Sequence, residues 1–301
     1  MLDGDIVEKY RRAGDIAKRV REEAVRIAKP GMKLLELAEY IEKKIFELGG
    51  APAFPVNLSI NDVAAHYTPT LNDEMVIPDG AVLKIDIGVH VDGYIADTAA
   101  TVTFNPAYES LLEASYRALD KVIEKIGFGV KAYEIGRLIE ETILSYGFKP
   151  IKNLAGHSMD KYIIHSGYSI PNYFDRSARW SFSDGAYAIE PFATNGMGLV
   201  REEDVVTIFS LRSSGRRVRL SYVEKRVVEG LWRERRTLPF CERWLRGLCR
   251  GVESIRNTIQ LLIRKGLLYL YPVLVERGHG YVAQFEHTFL INGREVIVTT
   301  A

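Results

Sequence analysis

The chain repeats itself, and that repetition limits its possible folds more than any other feature. Residues 31–49 (GMKLLELAEYIEKKIFELG) align with residues 129–147 (GVKAYEIGRLIEETILSYG) at a fixed offset of 98. Gly31/Gly129, Lys33/Lys131, Glu36/Glu134, Ile41/Ile139, Glu42/Glu140, Ile45/Ile143 and Gly49/Gly147 are identical, and Pro52/Pro150 extends the match to eight identities in 22 positions. Apolar residues correspond between the identities, as an internal duplication requires. In the first copy Leu34, Leu37, Ile41, Ile45 and Leu48 recur three and four apart, the spacing of an amphipathic helix stopped by glycine. A longer helix precedes it, carried by Ile6, Val7, Tyr10, Ile16, Val20 and Ile27 and ended at Pro30-Gly31. The strands that follow also correspond. Asp79-Gly80-Ala81 leads to Ile85-Asp86, and Asp184-Gly185-Ala186 leads to Ile189-Glu190, one residue shorter. Two related half-domains would therefore each present a carboxylate at the same point of an equivalent strand, and a two-fold relation would bring these acids together at the seam.

The second half is interrupted. After Glu190-Pro191-Phe192 some 75 residues break the pattern, and a strand-rich tail resumes near Tyr271-Pro272. This divides the chain into one unit of residues 1–192 with 268–301 and an insertion of residues 193–267. Within the insertion the sequence predicts strands near 205–228 and helices near 239–247 and 252–265, around Trp232, Leu238 and Trp244. Charge separates the units too. The chain has a net charge of +1, yet residues 201–265 hold 16 Lys and Arg against 8 Asp and Glu, while the rest holds 24 against 31. A basic module inside an acidic frame is either a solvated surface or a nucleic-acid footprint. With 47% apolar and 26% charged residues the composition excludes a disordered chain. No run reaches the ~18 apolar residues of a membrane span. The charged N-terminus lacks an apolar signal core, so a cytoplasmic setting is expected. Cys241 and Cys249, ~12 Å apart if one helix carried both, are expected to be free thiols.

The chemistry concentrates in KIDIGVHVDGYIADTAATV, residues 84–102. Alternating β-branched residues flank Asp92-Gly93, a preferred two-residue hairpin turn. That turn sets Val91 opposite Tyr94 and Gly88 opposite Asp97. Asp86 shares the face of Gly88, which makes Asp86 and Asp97 diagonal neighbours with Cβ atoms within ~7–8 Å. Two inward aspartates are costly without positive charge between them, unless each merely caps a strand end. No lysine is well placed to supply it. His157, Glu190 and Glu286 are available, and Asp, Glu and His without thiolate suit Mn²⁺, Fe²⁺, Co²⁺ or Zn²⁺. Four carboxylates and one imidazole exceed the needs of one ion and suit two ions ~3.5–4 Å apart. Among the other histidines, His90 is read as structural and pointing away from Asp86, His287 as facing away from the site, and His279 as exposed.

In their order and spacing, Asp86, Asp97, His157, Glu190 and Glu286 resemble the five metal ligands of methionine aminopeptidases. The insertion is similar to that of the type 2 class shared by archaea and eukaryotes. Residues 52–69 (PAFPVNLSINDVAAHYTP), 153–172 (NLAGHSMDKYIIHSGYSIPN), 188–194 (AIEPFAT) and 282–288 (VAQFEHT) carry the resemblance, which covers nearly the whole chain. It implies the α+β "pita-bread" fold, two pseudo-symmetric halves around a curved antiparallel sheet, with a small helical, winged-helix-like subdomain inserted. It implies that Asp86 chelates one metal, that Asp97 and Glu286 bridge, and that His157 and Glu190 hold the second ion. His66 would contact substrate near the scissile bond, and His165 would donate to its carbonyl. Glu190 would shuttle the proton. Phe54, Ile164, Phe192 and Tyr271, with Asn57 beside them, would wall a methionine pocket. The implied reaction is removal of the initiator methionine from nascent chains by a hydroxide bridging two divalent ions (Co²⁺, Mn²⁺, Fe²⁺ or Zn²⁺). The implied setting is that of a cytoplasmic monomer, whose basic insertion offers a route to the ribosome. Two alternatives share the fold: an Xaa-Pro aminopeptidase or prolidase, which usually carries a large N-terminal domain, and a non-catalytic RNA- or ribosome-binding homologue, which would have lost ligands.

Overall fold

The computed structural model describes residues 1–212 and 218–301. The duplication is three-dimensional. Helix α1 (Gly4–Ile27) precedes α2 (Leu34–Glu47), and α3 (Glu109–Lys125) precedes α4 (Ala132–Ser145); α2 and α4 are the repeated segments, each 14 residues long. Each repeat is entered through a glycine in the left-handed region, Gly31 at φ 81° and Gly129 at φ 84°. Their amides donate to equivalent carbonyls, of Ile77 and Phe182, both at 2.8 Å. Each is left through another such glycine, Gly49 and Gly147, both at φ 82°. Only glycine enters this region without steric cost, which accounts for these identities in both copies.

The described strand pairs are all antiparallel. In the first half, Val82–Val91 turns through Asp92-Gly93 into Tyr94–Thr103, with Asn57–Ile60 and Ala51–Pro52 along its other edge. The pairing runs without a break and sets Gly88 opposite Asp97 and Asp86 opposite Ala99, the register read from the turn. In the second half, Gly185–Ile189 lies between Ala155–Met159 and His287–Asn292. Helices cover each half on one side. Ala13, Ile16, Val20, Leu37 and Ile41 pack on Leu83, Ile85, Ile87 and Val89. Ala114, Ala118, Ile135 and Ile139 pack with Ile170, Ile189, Phe289 and Ile291.

Threonines hold the halves together. Tyr94–Thr103 meets the 284–288 segment at one bridge, Ala99 with Glu286. Around it Thr98 Oγ1 donates to the Glu286 carbonyl (2.8 Å) and Thr101 Oγ1 to that of Gln284 (2.6 Å). Thr288 Oγ1 accepts the Asp97 amide (2.7 Å) and donates to the Asp97 carbonyl (2.8 Å). Side-chain hydroxyls therefore satisfy backbone groups that a regular ladder would otherwise pair.

The insertion rises on Val200–Leu211, paired with Leu268–Glu276. It departs from the sequence reading. Strand ends at Leu211, and residues 222–235 form α5 (Tyr222–Arg235) rather than strand. Ser221 and Glu224 form a reciprocal capping box, and Val227 and Leu231, four apart, are buried on one face, which overrides the strand preference of the valines at 223, 227 and 228. The helix expected near 239–247 is a 3₁₀ turn, Glu242–Leu245, whereas α6 (Val252–Arg264) lies where expected. Residues 213–217, inside the expected strand region and including two of its arginines, lie outside the described residues. Cys241 and Cys249 are free and buried. Among the described residues no helix is long and apolar enough to cross a membrane.

Gly14 of α1 lies against the backbone of Thr299, and a Cβ there would overlap its carbonyl. Gly14→Ala is expected to destabilise the protein by about 1–3 kcal/mol, seen as a lower denaturant midpoint. Gly4→Ala, which points into open space, leaves the midpoint unchanged.

Candidate metal centre

The five acidic and imidazole side chains singled out above converge. Asp86 and Asp97 come from the two arms of the first hairpin. His157 comes from Ala155–Met159, Glu190 from just beyond Gly185–Ile189, and Glu286 from the residue before His287–Asn292. All five line one cavity of about 300 Å³. One potential ligand atom from each of Asp97, His157 and Glu286 lies within 4.8 Å of the other two, and His157 Nε2 is 3.6 Å from Asp97 Oδ2.

Burial and mutual repulsion set the electrostatics of these side chains. Burial pushes the Asp86 carboxyl up to about 7. Burial, then repulsion from Asp86 and Glu190, holds Asp97 well above the usual carboxylate range. Glu190 is raised by burial and by Asp86, and Glu286 by burial and then Asp97, Glu190 and Asp86. Burial, then His165, holds the His157 imidazole well below its ordinary value, favouring the neutral form that ligates metals. Lys84, two residues before Asp86 and fully buried, does not answer this charge, because its ammonium donates to the carbonyls of Asn61 (3.0 Å) and Val282 (2.9 Å). Asp86 Oδ1, Asp97 Oδ1, Glu286 Oε1 and His157 Nδ1 are buried without hydrogen-bond partners. Groups left in this way are costly unless something else coordinates them. A hard, oxygen-rich set with one imidazole and no thiolate fits divalent first-row ions.

Gln284 was missed by sequence reasoning. Its Nε2 donates to Glu190 Oε2 (3.1 Å) and Glu286 Oε2 (3.3 Å), holding two carboxylates apart by a neutral donor. Its position two before Glu286 was the available signal.

His66 and His165 line the same cavity. The Nδ1 of His66 lies 3.1 Å from the Pro272 carbonyl. A carbonyl only accepts, so the proton sits on Nδ1 and Nε2 keeps its lone pair. Burial holds the His66 imidazole down to about 4, so it is neutral at ordinary pH. The ring of His165 stands edge-on to His157, centroids 4.4 Å apart, with its own side chain open to the cavity. Phe54, Ile164, Phe192, Tyr271 and Asn57 all line the same space. Asn57 pairs directly across from Asp86, and Phe54 lies over Gly88, where any Cβ would overlap its ring. Ala65, Ile208, Pro239 and Leu274 complete the wall and had no local sequence signature. A larger recess of about 720 Å³ shares His66, His165 and Tyr271 with the inner cavity and extends to Arg201, Arg212 and Tyr269.

One sequence reading is corrected. In the unbroken strand His90 is on the same face as Asp86 and Gly88, not turned away, because side chains repeat every two residues. It is nevertheless structural. Its ring packs on Tyr162 (5.5 Å), and its Nδ1 accepts the Gly93 amide (3.2 Å). His287 bonds Thr300 Oγ1 (2.9 Å) away from the cavity, and the exposed His279 pairs with Asp62 (2.6 Å).

Comparison with known proteins agrees with this geometry. Residues 8–209 match the model of "Metallopeptidase family M24". A methionine aminopeptidase of Methanocaldococcus jannaschii is 47% identical over 293 residues, 97% of this chain and 98% of that one. The chain belongs to the archaeal methionine aminopeptidases of family M24. Two solved structures share the fold: a thermophilic Arx1 (TM-score 0.86, 18% identity, 99% of this chain and 91% of that one) and a methionine aminopeptidase of Thermotoga maritima (TM-score 0.72, 19% identity, 99% and 98%). The pita-bread architecture is thereby established, and the aminopeptidase uses it for metal-dependent hydrolysis of the first peptide bond, releasing N-terminal methionine.

Adding a divalent cation to the chelated aminopeptidase is expected to raise its melting temperature, and the rise should grow from about pH 5.5 to about pH 7.5. Carboxylates with raised folded values lend the metal-free fold stability at low pH, lost as pH rises through the value near 7 of Asp86. His66, His90 and His287, all lowered by burial, destabilise below about pH 6.5. They do so with or without the ion, so they cancel in the difference. Differential scanning of both forms across this range tests it.

Proposed function

We propose that Asp86, Asp97, His157, Glu190 and Glu286 hold two divalent ions, with Asp97 and Glu286 shared, Asp86 completing one site, and His157 with Glu190 completing the other. The buried, unpartnered carboxylate oxygens of Asp86, Asp97 and Glu286 support this reading most directly. When bound, such a pair lowers the pKa of water towards neutrality and polarises a carbonyl, and this donor set suits Mn²⁺, Fe²⁺, Co²⁺ or Zn²⁺.

The chain's own residues do the rest. Phe54, Ile164, Phe192 and Tyr271 enclose the methionine side chain, whose soft, flexible thioether suits an aromatic and aliphatic wall. The substrate's free α-amine would lie beside these ligands and the ions they hold, which restricts cleavage to the first bond. His165 donates to the scissile carbonyl as negative charge builds on its oxygen. His66, its proton fixed on Nδ1, offers Nε2 to the N–H of the scissile amide. Glu190 accepts a proton from the attacking water and passes it to the leaving amine. The larger recess receives the chain beyond the first residues. Residues 1–192 with 268–301 form the catalytic unit and 193–267 the insertion. The separate apolar cluster of Phe209, Val227, Leu231, Phe240, Ile255 and Ile259 supports that division.

Release of methionine from a Met-Ala-Ser peptide, beside an Ala-Pro peptide, tests these roles. Activity lost on chelation should return with two ions per chain, and Asp97→Ala should not recover it. His165→Ala should bind both ions yet lose about 10²–10³-fold in kcat/KM. A stoichiometry of one ion, or cleavage of the proline peptide alone, would overturn the assignment.

The net excess of eight positive charges on residues 201–265 supports a second reading, docking on the ribosome, where nascent N-termini appear. In that reading the enzyme is a cytoplasmic monomer. Co-sedimentation with ribosomes at low salt that falls steeply as salt rises is the expected result. No binding at low salt would sink the idea.

A further inference from the structure

A single buried arginine of the insertion reaches back to the loop that carries His66. Arg243, in the 3₁₀ turn, pairs bidentately with Glu42 of α2 (2.6 and 2.8 Å). The same guanidinium donates to Thr68 Oγ1 (2.8 Å) and to the Pro69 carbonyl (2.8 Å). Next to it, Glu242 accepts the Leu71 amide (2.8 Å) and is itself held by Arg256 of α6 through two bonds of 3.0 Å. At the root of the insertion, Thr207 Oγ1 accepts the Thr68 amide (3.2 Å) and donates to the His66 carbonyl (3.4 Å). Side chains from the insertion thus tie His66, Thr68, Pro69 and Leu71. His66 itself sits at φ 66°, in the left-handed region that few residues other than glycine occupy.

The duplication shows what has changed. Glu140, the counterpart of Glu42, accepts the Phe174 amide directly (2.9 Å) and so holds a backbone loop by itself. In the first half the corresponding carboxylate holds a guanidinium, and the guanidinium holds the loop. Arginine suits this relay because its fork offers five donors in fixed geometry, enough for a carboxylate and two further acceptors.

We infer that Arg243 is a positioning residue for His66: neutralised by Glu42, it fixes Thr68 and Pro69 and thereby the backbone that aims Nε2 into the cavity. The insertion is then a working part of the active site. The activity arm of this inference rests on the proposed contact of His66 with substrate, whereas a spectroscopic arm does not.

Thr68→Val removes one hydroxyl while leaving the Glu42–Arg243 pair covered, and Arg243→Lys keeps the charge but loses the fork. Thr68→Val is expected to lower kcat/KM for the Met-Ala-Ser peptide about tenfold, the worth of one buried hydrogen bond, and Arg243→Lys, which loses several, by at least as much, while both bind metal normally. In a His66→Ala background Thr68→Val should cost nothing more, because the two act through one side chain. With ¹⁵N-labelled histidine, the ring signal missing from His66→Ala should shift or broaden in Thr68→Val, and that of His157 should not. Full additivity with His66→Ala, or an unmoved His66 signal, would overturn the inference. If His66→Ala alone leaves kcat/KM unchanged, the substrate contact fails and the ring signal alone decides positioning.

Discussion

Four carboxylates buried around one imidazole repel one another, and the surrounding structure is built so that they cannot move apart. Two of them are fixed by the long hairpin of the first half, whose register is unbroken over ten pairs. The others hang from strands of the second half, and neither half holds the full set. Gln284 is the one described side chain that bonds two of the acids at once. The amino group of Lys84, two residues before Asp86, is held by backbone carbonyls instead. Rigid β-structure, a neutral amide donor and a lysine engaged elsewhere leave these acids to raise one another's pKa values. A bound divalent cation would relieve that repulsion and release the protons it retains.

The parts of this arrangement that were legible in the sequence are those set by local rules. The Asp92-Gly93 turn and the two-residue period placed Asp86 and Asp97 on one face, and the repeated helices announced two halves with equivalent acids. The same period of two also covered His90, which was nonetheless read as facing away. The insertion was misread where strand was expected up to residue 228: Ser221 and Glu224 cap a helix whose buried residues, Glu224, Val227, Leu231 and Arg235, recur three and four apart. What could not be read depended on distant pieces of chain. Ile208 and Pro239 reach the pocket from the insertion, and Glu42 meets Arg243 across 201 positions. No spacing rule links such residues, because their meeting is decided by packing alone.

The insertion is coupled to the catalytic halves chiefly by polar groups that are buried and mutually satisfied. Arg235 stacks on the Trp244 ring at 4.1 Å and donates to the carbonyls of Pro239 and Pro52, while Trp244 donates to the same Glu42 that pairs with Arg243. Buried polar networks of this kind select one docking geometry more sharply than apolar contact does, since any slip leaves a charge unanswered. The inner face of the insertion is therefore set by this network and not by the net positive charge that residues 201–265 carry.

The threonine seam has a consequence for how the enzyme comes into being. Asp97 and Thr288 exchange their bonds across 191 positions, so this junction is among the costliest in chain entropy and forms late in any folding order governed by sequence separation. Before it closes, the first hairpin presents two aspartates and nothing to complete them. A chain with this junction open therefore holds only part of the candidate ligand set, and His157, Glu190 and Glu286 join the two aspartates through contacts between residues far apart in sequence.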